Sequence, residues 1–380
     1  MSAEPTHREA EVTEPPPPTR SPAADATATA PAPASPERVR PPVQLAGKVL
    51  PAWAPWGIVA ASAVVVGVIT GFDPALWIVA TVIVGGIAQY AVSRVVEGKR
   101  RATDRGVTYA IVSAFLLALA PLASLLYTVI SRGAERFDAE FFTWSMRGVI
   151  GEGGGAIHAI YGTLIITGCA ALISVPIGIM AAIYLQEYGT GRLKRLLTFF
   201  VDVMTGIPSI VAGLFAFSLF SLFFGPGIRL GIMGSVALSV LMIPIVVRST
   251  EEMLRIVPNS LREASYALGV SKWRTIVKVV LPTALGGIVT GVVLAIARII
   301  GETAPLLITV GVVSSVNTNP FDGRMQNLAV FAFNSYKSPG VPPEPSIDRA
   351  WTAALVLIII VMVLNVAARF IYRRFGTEIR

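Results

Sequence analysis

Long apolar segments constrain the fold of this chain more than any other feature. A helix that crosses a bilayer needs about 20 apolar residues, and eight blocks are close to or above that length. The predicted spans are 56–72, 75–93, 107–130, 159–184, 197–224, 228–247, 284–312 and 350–371. Only 14% of the residues are charged, against about a quarter in soluble domains. The sequence therefore predicts an all-α polytopic membrane protein with about eight transmembrane helices.

Two details of these blocks carry further predictions. The first two blocks are separated only by Gly71-Phe72-Asp73-Pro74, which is typical of a tight turn because Asp-Pro initiates turns. The blocks 197–224 and 284–312 are longer than the hydrocarbon core. They must therefore tilt, break or project beyond the bilayer.

Residues 1–47 have a different composition from the rest of the chain. They hold 11 of the 27 prolines and no aromatic residue, so they bury too little apolar area to offset the entropy of an ordered chain. We expect a disordered tail that is either a solvated extension or an interaction segment. The first thirty residues contain no apolar stretch, so we do not expect them to form a signal peptide.

Lysine and arginine fall mainly on alternate connections. One set of connections, which includes both termini, holds 23 basic residues, and the other set holds seven. Without the N-terminal tail the ratio is still 18 to seven. Basic residues accumulate on the cytosolic side of membrane proteins, which predicts cytosolic termini and explains the net charge of +8 without nucleic acid as a partner.

Several classes of chemistry have no motif in the chain. The Gly-Lys pairs, Gly47-Lys48 and Gly98-Lys99, lack the other residues of a phosphate-binding loop. The single cysteine, Cys169, excludes an internal disulfide, and the two histidines are far apart. No nucleophile or metal motif of a membrane hydrolase is present either. We expect a non-catalytic subunit without a cofactor or a metal.

The connection 248–282 has a sequence pattern typical of short helices rather than of an irregular loop. Ser260 followed by Glu263 fits a capping box, in which Ser260 accepts from the third amide and Glu263 reaches back. One face of this predicted helix is apolar and consists of Leu261, Ala264 and Leu268. An exposed apolar face of this kind favours a partner that covers it, although a stable loop without a partner is the alternative.

The same connection continues past a glycine. Gly269 is typical of the residue that follows a helix end, and Ser271 predicts the start of a second helix that runs through Val280. Pro282 lies just beyond it. The pattern predicts two short helices joined by a glycine elbow, both outside the membrane.

This loop resembles the "EAA" loop of ABC-importer permeases. The matching residues are Glu263-Ala264-Ser265, Gly269 and Leu281-Pro282, with Ser265 and Val279 as small departures from the family pattern. In that family the first short helix is a coupling helix, which sits in a groove of a separate ATPase. The resemblance implies that role for Glu263, Ala264 and Gly269, with Leu261 and Leu268 on the apolar face.

A closer resemblance is to the phosphate-specific (Pst-type) permeases, and within them to the PstA-like subunits. The similar segments are 206–213, 243–252 and 297–306. The resemblance covers 107–380, the six-span core of the family. The pair of spans within 48–106 has no role that the family implies, and we interpret it as an accessory pair.

Three charged residues are candidates for the substrate path. Arg298 lies near the middle of the block 284–312, where an arginine costs about 2.5–3.5 kcal/mol on insertion scales. Glu302, four residues later, would share its helix face, either as a packing partner or as the group that holds the arginine when phosphate is absent. Arg248 lies at the end of a predicted span, and the alternative to a role in the path is an anchor at the membrane interface. The Pst-type resemblance implies a place in transport for all three.

Pro208 lies inside the block 197–224. A proline frees a carbonyl one turn back and bends the helix. Broken helices within a membrane can present amides to an anion, and Ser209 would add a hydroxyl. The alternative is a kink that serves packing only.

Together, these features predict the permease subunit of an ATP-driven inorganic phosphate importer in the cell membrane. It would form half of the translocation path. The implied partners are a second homologous permease, a cytosolic ABC ATPase dimer, and an extracytoplasmic phosphate-binding protein that docks on 131–158 and 313–349. A secondary anion transporter or channel, or an ABC permease for another oxyanion, is the alternative.

Overall fold

The computed structural model describes residues 50–375, so the predicted tail at 1–47 lies outside the described residues. The helices within this range are α1 (Ala54–Thr70), α2 (Pro74–Val96), α3 (Lys99–Gly133), α4 (Ala139–Thr143), α5 (Ile157–Ile183), α6 (Gly191–Gly206), α7 (Ser209–Phe224), α8 (Gly231–Ile256), α9 (Asn259–Ala267), α10 (Lys272–Thr275), α11 (Leu281–Ile300), α12 (Ala304–Thr309), α13 (Leu328–Lys337) and α14 (Glu344–Phe375). Two five-residue π turns, Tyr184–Tyr188 and Ile276–Val280, follow α5 and α10.

Every predicted apolar block corresponds mainly to helix in the structure. Between residues 50 and 375, six helical segments are long and apolar enough to cross a membrane, and they contain α2, α3, α5, α8, α11 and α14. The pair α6 and α7 would be a seventh span, although it is bent by 108°. Helix α1 has 17 residues and is shorter than the others.

The first of two compact units ends at Ser113. In it, α1 and α2 are joined by the tight turn that the sequence predicts. Gly71 and Phe72 both adopt positive φ, at 63° and 59°. The side chain of Asp73 then caps α2 by accepting a hydrogen bond of 3.0 Å from the amide of Leu76, which satisfies one of the free amides of the first turn.

The second unit begins at Ala114 and is organised around the packing of α5 on α8. Ser235 and Ser239 of α8 donate hydrogen bonds of 3.0 and 3.4 Å to the carbonyl oxygens of Ile166 and Ala170 in α5. Small polar residues at a helix contact are typical of membrane bundles, because they let the backbones approach closely. The buried core around this contact includes Ile166, Leu238, Met242, Val246 and Ile299.

Candidate functional site

The helix formed by the block 197–224 is interrupted at Ile207-Pro208, between α6 and α7. A residue that precedes proline is pushed out of the helical region, and Ile207 is extended, with φ −71° and ψ 126°. Helix α6 therefore ends at Gly206, and α7 begins anew at Ser209. The kink that the sequence predicts at Pro208 is in fact a complete break, with a bend of 108°.

A second interruption separates α11 from α12, so the block 284–312 is not one helix. Pro305 has no amide with which to bond the carbonyl of Gly301, and the chain leaves the helix between Ile300 and Ala304. The prediction that Arg298 and Glu302 share a helix face is therefore wrong. No ion pair joins these two side chains among the residues that the structure describes.

The two interruptions lie next to each other in the fold. Gly213, in the second turn of α7, packs directly on Pro305 at the start of α12. A Cβ on Gly213 would lie 2.6 Å from the Cα of Pro305, so only glycine permits this approach. The structure thus brings the segment of Pro208 and Ser209 close to the segment that follows Glu302.

Arg298 and Arg248 differ in their surroundings. Arg298, in the last turn of α11, is exposed on the surface of the single chain. Its side chain has no hydrogen-bond or ion-pair partner within the described range. Arg248 lies inside α8 rather than at its end, and its guanidinium pairs with Asp202 of α6 and with Glu251 at 2.9 Å. One arginine is electrically compensated and the other is not.

Gly269 ends α9 in the way that the sequence predicts. Its φ is +72°, a left-handed conformation that glycine adopts without strain. The amides of Gly269 and Val270 donate to the carbonyl oxygens of Tyr266 and Ser265, at 2.9 and 3.2 Å. These two bonds form a Schellman motif, so the elbow has a defined geometry.

The predicted capping box at Ser260 is not formed. Helix α9 begins two residues earlier than the box requires, at Asn259, and its N-cap is Pro258, without a side-chain cap. Because proline already has a fixed φ and no amide to satisfy, the chain enters the helix directly after it. Ser260 and Glu263 therefore lie within the helix and are exposed.

The second short helix of this loop is continuous with a span. Helix α10, the π turn Ile276–Val280 and α11 form one apolar helical segment, Lys272–Ile300. Pro282 does not end it. The wider π turn ends two residues before Pro282, in the turn of helix where a missing amide and a bulky ring disturb helical bonding. Only α9 is thus a separate helix between two spans.

The apolar side chains near the elbow are uncovered in the single chain. Leu268 and Trp273 are 83% and 62% exposed, and Leu261 is 39% exposed. Glu263 and Ala264 are exposed as well. Exposed apolar groups of this size, on α9, its elbow and the adjacent α10, are typical of an interaction surface.

Arg262 fastens α9 to the membrane helices, a role that the sequence pattern did not reveal. Its guanidinium donates to Glu187 at 2.8 and 3.1 Å, to the carbonyl oxygens of Leu254 and Val257 at 2.9 and 2.7 Å, and to Asn259 at 3.2 Å. The side chain of Glu187 is only 6% exposed. No local signal could connect Arg262 with a carboxylate 75 residues earlier.

Ser265, the departure from the EAA pattern, has a contact of its own. Its hydroxyl lies 2.8 Å from the hydroxyl of Thr275, and both residues are buried. Lys272 connects α10 to the turn after α5, because its ammonium lies 4.7 Å from the ring centroid of Tyr188, within cation–π range. Arg262 and Ser265 therefore tie helix α9 to the end of α8, to the turn after α5 and to α10.

Comparisons with known proteins agree with this architecture. Residues 174–380 match the family described as the binding-protein-dependent transport system inner membrane component. The chain is 48% identical over 276 residues to the phosphate transport system permease protein PstA 1 of Mycobacterium tuberculosis, with 72% of this chain and 90% of that protein covered. The PstA protein of Mycobacterium leprae is 46% identical over 291 residues, with 74% and 94% covered.

The fold itself has a solved counterpart. A chain of the bacterial alginate ABC transporter, in complex with an alginate pentasaccharide-bound periplasmic protein, superimposes with a TM-score of 0.54. The match covers 72% of this chain and 95% of that chain at 13% identity. At this identity, the likeness concerns the fold alone.

Proposed function

The chain belongs to the inner-membrane permeases of binding-protein-dependent transport systems and, within them, to the PstA phosphate permeases, and on this premise we propose that Arg298 contacts phosphate in transit. The protein is a permease subunit of a phosphate ABC importer. One permease subunit supplies half of the path, so residues that line it are exposed on the single chain. Arg298 is exposed and has no partner within the described residues.

The chemistry of Arg298 supports this assignment. Phosphate carries about −1.5 to −2 charges at neutral pH, and a guanidinium matches its oxygens with parallel hydrogen bonds. An unpaired arginine inside an apolar segment is costly to keep without such a function. The break after α11 places Glu302, Thr303 and the start of α12 beside it in the chain, and α7 with Ser209 packs against α12. Pro208, Ser209 and Glu302 are therefore proposed to border the same path.

Arg248 is proposed to lie at the inner end of the path, as a weaker candidate for contact with phosphate. Its two carboxylate partners, Asp202 and Glu251, already compensate its charge. Phosphate would meet it only by competing with Asp202. We therefore rank Arg298 and Glu302 before Arg248 as substrate contacts.

The energy comes from a partner, because no phosphate-binding loop is present in the sequence. Helix α9 is proposed as the coupling helix, with the exposed Glu263, Ala264 and Leu268 against a cytosolic ABC ATPase dimer. Arg262 holds that helix to Glu187 in the turn after α5, and Gly269 forms the elbow that joins it to α10. A homologous permease subunit and an extracytoplasmic phosphate-binding protein complete the proposed complex, with both termini of this chain in the cytosol.

The decisive test replaces Arg298 in the assembled transporter. Arg298→Gln is expected to reduce phosphate uptake into proteoliposomes to background, while Arg298→Lys keeps the charge and retains part of the rate. The partner subunits must co-purify with both variants in normal amounts. Normal uptake by an assembled Arg298→Gln transporter would remove this residue from the path.

The same assay separates the alternatives. A secondary transporter or channel would take up phosphate without ATP, whereas the ABC permease requires both ATP and the ATPase subunits. Sulfate in excess tests the identity of the oxyanion. Uptake that sulfate suppresses as strongly as phosphate does would favour a permease for another oxyanion.

A further inference from the structure

Two arginines that the proposed path does not use converge at the end of α12. The Cδ atoms of Arg229 and Arg324 lie 2.9 and 3.2 Å from the point that a Cβ on Gly311 would occupy, and Nη1 of Arg229 lies 3.3 Å from it. The two residues are separated by about a quarter of the chain. The fold therefore brings two positive charges to one place, over a residue that has no side chain.

Neither charge is compensated within the described part of the chain. The structure gives no hydrogen bond or ion pair to either guanidinium there, and Asp322, two residues before Arg324, forms no ion pair with it. Two arginines on the same predicted outer face, Arg136 and Arg349, are engaged. Arg136 pairs with Asp138 at 3.0 Å, and Arg349 donates to two glycine carbonyl oxygens at 2.7 and 2.9 Å. Like charges held together repel each other unless an anion lies between them.

The backbone below the two arginines also offers donors. Val310 is in the right-handed region, with φ −98° and ψ −28°, and Gly311 follows with φ +74°. Successive amides in a right-handed then left-handed pair form a concavity that suits an anion. The amide of Val310 is bonded to Leu306 at 3.0 Å. The amides of Gly311 and Val312 have no partner among residues 50–375.

We propose that Arg229, Arg324 and the backbone at Gly311 form a capture site for an oxyanion, inorganic phosphate in this transporter, on the outer side of the permease. This inference rests on the proposed function, since it names a step before phosphate reaches Arg298. Two guanidiniums bind one phosphate through several charge-assisted bonds. Glycine suits position 311, because its φ is +74° and a Cβ there would lie 2.9 Å from Cδ of Arg229. The site concentrates phosphate ahead of the narrower part of the path.

The chain has one natural cysteine, Cys169, so a single substitution removes it and a new thiol can be introduced for the test. In a Cys169→Ser background, Val312→Cys places a thiol next to Gly311 at an exposed position. The complete transporter in nanodiscs is treated with a negatively charged methanethiosulfonate, without the binding protein, and the rate of modification is measured. We expect inorganic phosphate to slow modification several-fold. Arg229→Gln with Arg324→Gln is expected to abolish this protection and to slow the anionic reagent itself.

A matched variant controls for the loss of charge. Arg147 is exposed on the same predicted face and its side chain has no partner in the described range, so Arg147→Gln should leave the protection unchanged. Protection that persists in the Arg229/Arg324 double variant would overturn the proposal. Protection by phosphate-free binding protein, with none by inorganic phosphate, would also overturn it, because the pair would then be a contact for protein carboxylates.

These outcomes are separable from those of the function test. A Val312→Cys transporter whose ATP-dependent phosphate uptake is normal, but whose introduced thiol is not protected by phosphate, refutes the capture site alone. Loss of phosphate specificity in uptake would refute the proposed function instead.

Discussion

At the scale of single residues, the arginines of the second unit are in three distinct electrostatic states. Arg262 is enclosed by five acceptor contacts. Arg248 is balanced by two carboxylates, while Arg298 has no counter-charge in the described residues. A paired guanidinium holds structure, whereas an unpaired one is available to a passing anion. The sequence places Arg298 within an apolar block, Arg248 at the end of one and Arg262 in the connection 248–282, but it does not show which of them is paired.

The contact between Arg262 and Glu187 leads to a prediction about coupling. Arg262→Ala leaves Glu187 buried without its partner, which costs roughly 3–5 kcal/mol in comparable buried pairs. We expect α9 to detach from the ends of α5 and α8, so that phosphate uptake falls several-fold while ATP hydrolysis by the partner continues. The measurement is the ratio of phosphate transported to ATP hydrolysed in proteoliposomes.

The matched control removes both charges at once. Arg262→Met combined with Glu187→Gln leaves no buried charge unpaired, so its complex should be more stable than that of Arg262→Ala. Equal stability and equal coupling in the single and double variants would show that the ion pair does not carry the connection.

At the scale of helices and turns, prolines decide where the structure departs from simple pattern reading. The apolar periodicity predicts helix correctly over most of 197–224 and 284–312, but the breaks depend on an amide that Pro208 and Pro305 lack. The face-sharing argument for Arg298 and Glu302 fails for this reason. Pro258 likewise moves the start of α9 ahead of Ser260.

The elbow after α9 gives a prediction at this scale. Nothing lies within 4 Å of a Cβ on Gly269, so a larger side chain meets only the backbone cost of positive φ, about 1–2 kcal/mol. We expect Gly269→Leu to distort the elbow and to uncouple ATP hydrolysis from phosphate uptake. The two rates are measured on the same proteoliposomes.

Asparagine is the matched substitution at this position. It tolerates a left-handed backbone better than other residues with a Cβ, so Gly269→Asn should retain most of the coupling. If the leucine and asparagine variants behave alike, the left-handed conformation is not what the elbow requires.

At the scale of the whole molecule, the predicted all-α permease fold and its membership in the phosphate permeases are confirmed. The length of the apolar blocks, the glycine elbow and the EAA residues are local features, and local features can be recognised in a sequence. The contacts Arg262–Glu187, Arg248–Asp202 and Gly213–Pro305 join residues that are 46 or more positions apart. Such contacts depend on the packing of whole helices, so no local sequence pattern could predict them.

The tail provides a test at this scale. Residues 1–47 carry a composition typical of disorder, and the core of the permease begins after them. Deletion of 1–47 is expected to leave phosphate uptake within about two-fold of the full chain, since surface segments that bury little area contribute little to stability. The amount of protein in the membrane is measured alongside uptake. Loss of uptake at a normal amount of protein would show that the tail acts in transport.

The contact between Gly213 and Pro305 also limits how this protein can change over evolutionary time. Alanine is ordinarily the mildest replacement for glycine, yet its methyl group would meet the Cα of Pro305 at 2.6 Å. That methyl would force α7 and α12 apart. The close packing of α7 on α12 thus depends on the absence of one carbon atom, and substitution by alanine or serine is disfavoured at residue 213.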